Sequence, residues 1–344
     1  MALRGRAAAV VGAVAAALGC YLVLPLHWPY DLPTSARVAE DGAVVHAAGE
    51  SLYVAGAVHR IRPAPDSMAV TEGGLYYLAD EVLYLWDRDG STRIADLGAD
   101  QWLQATADGR YLAFIDREHG PLNLVRQRIA QTVVVDTATG EEVVRDVAGN
   151  GARMATDDLA DLYSESPPTM LGFGAGSAYA ATALGNVYRW DLATGERTDL
   201  GEGRIPRTPD NAGGAEVAFD LVAGVPQRNA PIMGGAYSGR LSPDGSRLAY
   251  ADRAGAPTMF TPGAEPVTFP VEEGTQFLLA GWLSDAEFLG VSLRTPSRPG
   301  AEVRDGVAQV TVCAVGTTTC RDAGEPVPVV DGILPVLPLG QPAP

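Results

Sequence analysis

The stretch Leu241–Asp252, LSPDGSRLAYAD, decides the fold of this chain. Pro243-Asp244-Gly245 within it predicts a tight turn, because proline presets φ at the second turn position and glycine accepts the conformation of the exit. The apolar residues 248–251 that follow predict a strand covered on both faces. The stretch therefore predicts a corner, in which one strand turns sharply into a second, fully buried strand.

The corner recurs along the chain and alternates with a hairpin. Its clearest second copy is TADG at 106–109 followed by YLAFI at 111–115, and weaker copies begin at residues 49, 71, 174 and 283. The hairpin reads VYRWDLATGERTDLG at 187–201 and VVVDTATGEEVVRDV at 133–147. In both, an aspartate is followed four residues later by a glycine, which suits a short loop between antiparallel strands.

Corner plus hairpin gives four antiparallel strands, which is one blade of a β-propeller. Six groups result: 43–63, 67–98, 102–148, 169–201, 236–270 and 276–323. The first group is short, and we expect its missing strand to come from residues 326–338, which would join the chain ends and remove exposed sheet edges. A seventh blade could lie in 202–235, so the prediction is an all-β propeller of six or seven four-stranded blades. A two-sheet sandwich would explain the alternating strands but not the repeated order of corner and hairpin.

The repeat resembles that of a known family. SPDGSRLAYAD at 242–252 and TADGRYLAFID at 106–116 look like the blade signature of TolB-type, WD-like bacterial β-propellers, and WDLATG at 190–195 is similar to the hairpin that follows it there. The resemblance covers roughly residues 43–323. It implies a propeller fold and, for exported bacterial members, a binding or scaffolding role, with no shared catalytic residues to transfer. The long segments between the blades depart from the family's pattern.

The N-terminus predicts a membrane segment. Arg4 and Arg6 precede residues 7–26, a run without charge that is long enough as a helix to cross a bilayer. We assign 1–28 to a signal anchor or transmembrane helix, 29–36 to a proline-containing linker and 37–340 to the propeller. A cleaved secretory signal and a lipoprotein signal with lipidation at Cys20 are the alternatives. All three place the propeller on the extracytoplasmic side of the cytoplasmic membrane.

The cysteines agree with that location, and the net charge argues against one class of partner. Cys313 and Cys320 flank a short turn between two strand-like runs, which predicts a disulfide across a hairpin. Metal binding is the weaker interpretation, because no second Cys or His pair stands at ligand spacing. The formal net charge of −17 argues against nucleic acid as a partner.

No catalytic motif emerges from the sequence. None of the four histidines belongs to a ligand pair, Gly-x-Ser-x-Gly is absent, and the calcium-loop-like run at 87–92 lacks its terminal acidic residue. We therefore expect no cofactor, no metal and no enzymatic activity. An enzyme at the mouth of the propeller channel is an alternative, with carboxylates such as Asp116 and Asp252, which follow two corners, as its reacting groups.

Four long segments break the repeat: 117–131, 149–168, 202–235 and 295–306. Long loops on a rigid scaffold are where binding residues concentrate. The candidate binding residues are the arginines of the first and third of these segments: Arg117, Arg126, Arg128, Arg204, Arg207 and Arg228. The leading hypothesis is a membrane-anchored propeller that binds a protein or other ligand, and an accessory or sensor subunit of a neighbouring membrane complex is a further alternative.

Overall fold

The structure is a computed structural model that describes residues 32–36, 38, 43–98, 102–123, 126–147, 168–182, 185–202, 212, 214–222, 225–227, 237–272, 274–294, 305–330 and 334–338. The predicted membrane segment 1–28 lies outside these ranges. All 26 named elements are β-strands. They form six sheets, one for each blade, so the predicted all-β propeller is confirmed, and of the six or seven blades predicted the described residues form six.

Each blade is an antiparallel sheet whose strands we letter A to D in the order of the sheet, with A on the inside of the ring. Blade 1 contains β1 (Val45–Ala48), β2 (Ser51–Val54) and β3 (Ala57–Arg60). Blade 2 contains β4 (Ser67–Thr71), β5 (Gly74–Ala79), β6 (Val82–Asp87) and β7 (Gly90–Asp96). Blade 3 contains β8 (Gln104–Ala105), β9 (Tyr111–Asp116), β10 (Gln131–Asp136) and β11 (Glu142–Asp146).

The other three blades follow the same order with two additions. Blade 4 contains β12 (Thr169–Gly174), β13 (Ser177–Ala181), β14 (Asn186–Asp191) and β15 (Arg197–Glu202). Blade 5 adds β16 (Ala215–Val222) and β17 (Val225–Gln227) to β18 (Tyr237–Leu241), β19 (Leu248–Ala251), β20 (Pro257–Phe260) and β21 (Val267–Thr268). Blade 6 contains β22 (Thr275–Ser284), β23 (Glu287–Arg294), β24 (Asp305–Ala314), β25 (Thr319–Asp322) and β26 (Val327–Val330).

The second strand of each corner is buried on both faces, as predicted. Along β9, Phe114 packs into the core that blade 3 shares with blade 2, while its neighbours Ala113 and Ile115 pack toward blade 4. Successive side chains of a strand point to opposite faces, so a strand between two neighbouring blades must be apolar at every position. This explains why the corner strands read as continuous apolar runs.

The C-terminal segment 334–338 closes the ring. Val336 lies antiparallel to Ala47 of β1, and each of the two residues donates its backbone N–H to the carbonyl of the other, at 2.8 and 2.9 Å. Leu334 and Leu337 pack into the core of blade 6. The segment thus supplies strand A of blade 1, whose β1, β2 and β3 become strands B, C and D. The missing strand of blade 1 was predicted in 326–338, and residues 334–338, the last part of that range, form it.

Residues 202–235 do not build a seventh blade among the positions that the structure describes. Instead, β16 pairs antiparallel with β18, from Ala215 opposite Leu241 to Phe219 opposite Tyr237. β17 folds back on β16 as a hairpin. Strand A of blade 5 therefore carries an extra hairpin on its inner edge.

Candidate functional site

The alternation of strand direction sorts every connection of the propeller to one of two faces. The A–B corners and the C–D hairpins lie at one end of the strands, which we call the corner face. The B–C turns and the D–A connections between blades lie at the other end, which we call the loop face. All four long segments fall in the second class: 117–130 and 295–304 join strands B and C, and 147–168 and 203–236 join one blade to the next.

The best described of these segments forms an ordered arm. We define the blade 3 arm as residues 117–130, between β9 and β10. Its two sides are bridged between Leu122 and Arg128, and the backbone N–H of Asn123 donates to the carbonyl of Gln127 at 2.9 Å. The Asn123 side chain accepts the N–H of Gln127, also at 2.9 Å. The arm is therefore a small hairpin with its own hydrogen bonds.

The neck of the arm is closed tightly. The N–H of Ile129 donates to the carbonyl of Pro121 at 2.9 Å. The guanidinium of Arg128 donates to the carbonyl of Gly120 at 3.0 Å. A Cβ atom on Gly120 would lie only 1.8 Å from the carbonyl oxygen of Ile129, so only glycine permits this close approach. Arg128, one of the predicted binding arginines, thus also shapes the arm.

The arm presents an apolar side chain and an arginine to solvent. Leu122 is 52% exposed, an unusual state for a large aliphatic residue in this protein. Arg126 is exposed and holds a φ of 63°, in the left-handed region that non-glycine residues rarely adopt. Arginine is one of the residue types, with tryptophan and tyrosine, that dominate protein–protein binding energy. The arm thus exposes both an apolar and a basic side chain to solvent.

A buried carboxylate fixes the base of the arm. Asp116, at the end of β9, is fully buried. One of its oxygens accepts the backbone N–H groups of Glu118 and His119, both at 3.0 Å, and lies 3.1 Å from His119 Nδ1. Arg117 is half-buried beside it, and its N–H donates to the carbonyl of Leu97 at 2.8 Å. The first residues of the arm are therefore locked to blade 3 and to the end of blade 2.

The second oxygen of Asp116 accepts a hydrogen bond from Arg145 on β11, at 3.1 Å. The buried Arg145 also donates to Gln131 at 2.6 Å and to Glu142 at 2.5 Å. Burial alone would lower the pKa of Arg145, but the carboxylates of Glu142 and Asp116 outweigh it and raise that pKa above its ordinary value. This network ties strands B, C and D of blade 3 together directly beneath the arm.

Sequence reasoning did not identify Arg145 or Glu142. Both lie in the hairpin repeat 133–147, where the sequence pattern predicts that a charged residue on an outer strand faces solvent. When the two hairpin copies are aligned on Asp136 and Asp191, Arg145 corresponds to the apolar Leu200, a difference that the repeat itself does not explain. Only the three-dimensional register, which places Arg145 opposite Val133 and within reach of Asp116, shows the connection.

The two carboxylates that the enzyme hypothesis names as reacting groups, Asp116 and Asp252, both cap turns. Asp116 caps the start of the arm, and Asp252 accepts the N–H groups of Ala254 and Ala256 at 2.8 and 2.9 Å. The two belong to blades 3 and 5, which blade 4 separates. Paired carboxylates of a glycosidase lie roughly 5–10 Å apart across one pocket. Their placement on separate blades gives the enzyme hypothesis no support.

The corner at residues 241–252 is also held together by its own polar residues. The buried Ser242 donates to the carboxylate of Asp244 at 2.6 Å and accepts the N–H of Arg247 at 3.0 Å. The Asp244 carboxylate also accepts the N–H and the hydroxyl of Ser246. These hydrogen bonds, led by that from Ser242, lower the pKa of Asp244 to about 2. Its N–H donates to Asp285 in the next blade, so this corner links blades 5 and 6.

The segment before blade 5 crosses the inside of the ring. The N–H of Ala212 donates to the carbonyl of Ala105, at 3.0 Å, on the free edge of β8 in blade 3. Three residues later, β16 begins its pairing with strand A of blade 5. Residues 220–222 of β16 continue past the start of β18 and pair only with β17 among the strands described. This channel hairpin, formed by β16 and β17, therefore extends beyond the start of β18 at the loop face.

The remaining predicted site residues divide into two groups. The structure contains the Cys313–Cys320 disulfide, which joins directly opposite positions of β24 and β25. Cys20 and the arginines Arg204, Arg207 and Arg228 lie outside the described residues. Within the described ranges, no helix has the length and apolar character needed to span a membrane. The same ranges contain no group of three or more His, Cys, Asp or Glu side chains arranged to hold a metal ion.

Comparison with known proteins gives structural likeness only. No protein-family model matches the chain, and no curated protein matches it. A protein described as TolB from Agrobacterium tumefaciens is similar at 12% identity and a TM-score of 0.38, with 86% of this chain and 92% of that chain covered. TolB from Acinetobacter baumannii is similar at 13% identity and a TM-score of 0.39, with 86% of this chain and 65% of that chain covered.

The WD40 domain of SCAP from fission yeast is similar at 9% identity and a TM-score of 0.34, with 90% of each chain covered. Structures similar to this chain thus include TolB and WD40 propellers, the class that the repeat motif resembles. At such identities and TM-scores the likeness carries no argument about function. The six-bladed fold rests on the pairing of the strands themselves.

Proposed function

We propose that this protein is a membrane-held, extracytoplasmic β-propeller that binds a protein partner on its loop face. The observation that carries the proposal is that both ends of all four long segments lie on one face of the ring. The blade 3 arm supplies an ordered, partly apolar and basic contact there. The absence of a catalytic motif from the sequence favours binding over catalysis.

The arm also gives the expected partner its chemistry. Its residues carry three arginines against one glutamate, in a chain whose formal net charge is −17. A protein surface that is acidic around an apolar patch would complement Leu122 and Arg126. Because the base of the arm is fixed by Asp116, binding would require little ordering of this element, which favours affinity.

The test is affinity capture of the tagged full-length chain from gently solubilised membranes. The variant Leu122→Ser/Arg126→Gln alters the arm, and Val58→Ser/Arg88→Gln makes the same kind of change at exposed positions of blades 1 and 2 away from it. We expect a stoichiometric protein partner that the arm variant loses at least about tenfold, equal to roughly 1.4 kcal/mol, while the control retains it. Equal capture by both variants, or no partner with the unaltered chain, would contradict the proposal.

A further inference from the structure

The residues that precede blade 1 form a strap on the corner face. Leu32 is 2% exposed and packs into the core between blades 2 and 3. Its N–H donates to the carbonyl of Gly140, in the C–D hairpin of blade 3, at 3.1 Å. A Cβ atom on Gly140 would lie 2.4 Å from the carbonyl oxygen of Leu32. The absence of a side chain at Gly140 therefore lets the strap lie directly on the hairpin.

The strap continues onto blade 2. The hydroxyl of Tyr76 donates to the carbonyl of Pro33 at 2.8 Å. The N–H of Ser35 donates to the carbonyl of Gly73, in the A–B corner of blade 2, at 2.7 Å. The contacts of residues 32–35 thus engage two neighbouring blades, and the backbone contacts are made at a corner and at a hairpin, which both belong to the corner face. This end of the predicted linker is a docked element.

The chain between the predicted membrane segment and the strap is short. The apolar run ends at Leu26, six residues before Leu32. Six extended residues span at most about 20 Å. The strands of a blade are themselves about 20 Å long at six residues. A chain fixed at Leu32 on the corner face has no length left to pass around the ring and bring the loop face to the bilayer.

We propose that the corner face is held next to the membrane surface and that the loop face points away from it. This inference rests on the proposed anchoring of the chain by its N-terminal segment. It deepens the proposed function, because the partner bound at the loop face must then be reached on the side away from the bilayer. Aspartates such as Asp108, Asp244 and Asp285 lie at the corners, so this face lies next to the polar headgroups and does not enter the hydrocarbon of the bilayer.

A distance measurement in liposomes tests the orientation. Arg88 and Glu81 are exposed and lie at opposite ends of β6, on the corner face and the loop face, about 20 Å apart. The full-length chain with Cys20→Ser receives a single donor fluorophore at Arg88→Cys or at Glu81→Cys, and the liposomes carry an acceptor on their headgroups. We expect energy transfer from position 88 to be more efficient than from position 81, which would lie about 20 Å farther from the headgroups.

Two further variants test the strap itself. Leu32→Asp places a charge in the buried contact, and Thr34→Asp makes the same change at an exposed strap position. We expect Leu32→Asp to bring the two transfer efficiencies together while Thr34→Asp leaves them apart. Transfer from position 81 that equals or exceeds that from position 88 in the unaltered chain would overturn the orientation. Failure of the protein to float with the liposomes would overturn the anchoring on which the orientation rests.

Discussion

His46 lies in the seam where the first blade meets the last. It is 2% exposed, stacks on Tyr53 with ring centroids 4.4 Å apart, and sits against Gly324 of blade 6. Neither of its ring nitrogens has a hydrogen-bond partner among the described residues. Burial lowers the pKa of His46 from 6.5 to about 4, because the charged ring would lose its hydration without gaining a partner.

This histidine makes the stability of the ring depend on pH. Its pKa is lower in the folded state, so the unfolded chain binds more protons between pH 6.5 and 4. The stabilisation is fully present above pH 6.5, and about 3 kcal/mol of it is lost as the pH falls toward 4. We expect His46→Phe, which keeps the stacking on Tyr53, to reduce this loss, while His59→Phe at a partly exposed position does not. Urea unfolding of the unaltered protein and both variants at pH 7.5 and 4.5 measures this loss of unfolding free energy. Equal losses in all three proteins would contradict the assignment of the pH dependence to His46.

Polar residues at the corners and turns show that residue type alone does not identify a catalytic site. Ser242, Asp244 and Asp116 are residue types found in catalytic sites, yet each spends its hydrogen-bonding capacity on nearby backbone or on an ion pair. The repeat places Ser242 and Asp244 in a corner and Asp116 at the end of the strand that follows a corner. It did not predict that Asp116 and Arg145 would form a buried pair, because pairing across three strands depends on a register that the sequence pattern does not state.

At the scale of elements, the closing strand is the most consequential. Its expected place in residues 326–338 was correct, but the range is divided. Residues 327–330 form β26 and extend the outer edge of blade 6, and 334–338 complete blade 1. Gly49–Glu50 therefore joins strands B and C of blade 1, and its interpretation as a corner was wrong. Short strands joined by glycine turns look alike in sequence, and only the strand added by the C-terminus fixes their order.

Breaking the closing bridge tests this arrangement. Val336→Pro removes the N–H that donates to Ala47 and leaves that carbonyl without its partner. Val336→Ala shortens the same side chain but keeps the N–H. We expect Val336→Pro to lower the free energy of unfolding by about 1–3 kcal/mol more than Val336→Ala, the usual range for an unsatisfied buried polar group. Thermal and urea unfolding measure the difference, and indistinguishable variants would show that the bridge does not close the ring.

At the scale of the molecule, the two faces of the ring carry different kinds of connection. The corner face carries short, repeated turns that link neighbouring blades and dock the strap. The loop face carries the arm, the channel hairpin and the other long segments. The sequence could predict which segments break the repeat, because repeats and their interruptions are local. That the interruptions share a face follows only from the order of the strands within each sheet.

The segment 202–235 shows the limit of the repeat as a guide. Its length is sufficient for a blade, and the sequence left a seventh blade in this segment open as an alternative. The described part instead bonds to the inner edge of blade 3 at Ala105 and adds β16 to the inner edge of blade 5. The inner edges of the A strands carry backbone N–H and C=O groups without a partner in the sheet. A segment that forms hydrogen bonds with these groups also pairs its own backbone, so it does not need to form a separate sheet.

The central claim is that partners are bound at the loop face. Site-specific photo-crosslinking in intact membranes tests it most directly, with a photoreactive residue at Gln127 in the blade 3 arm or at Arg88 on the corner face, both exposed. The account predicts one discrete crosslinked protein from position 127 and none from position 88. Crosslinking to the same protein from position 88 alone, or equally from both positions, would contradict it.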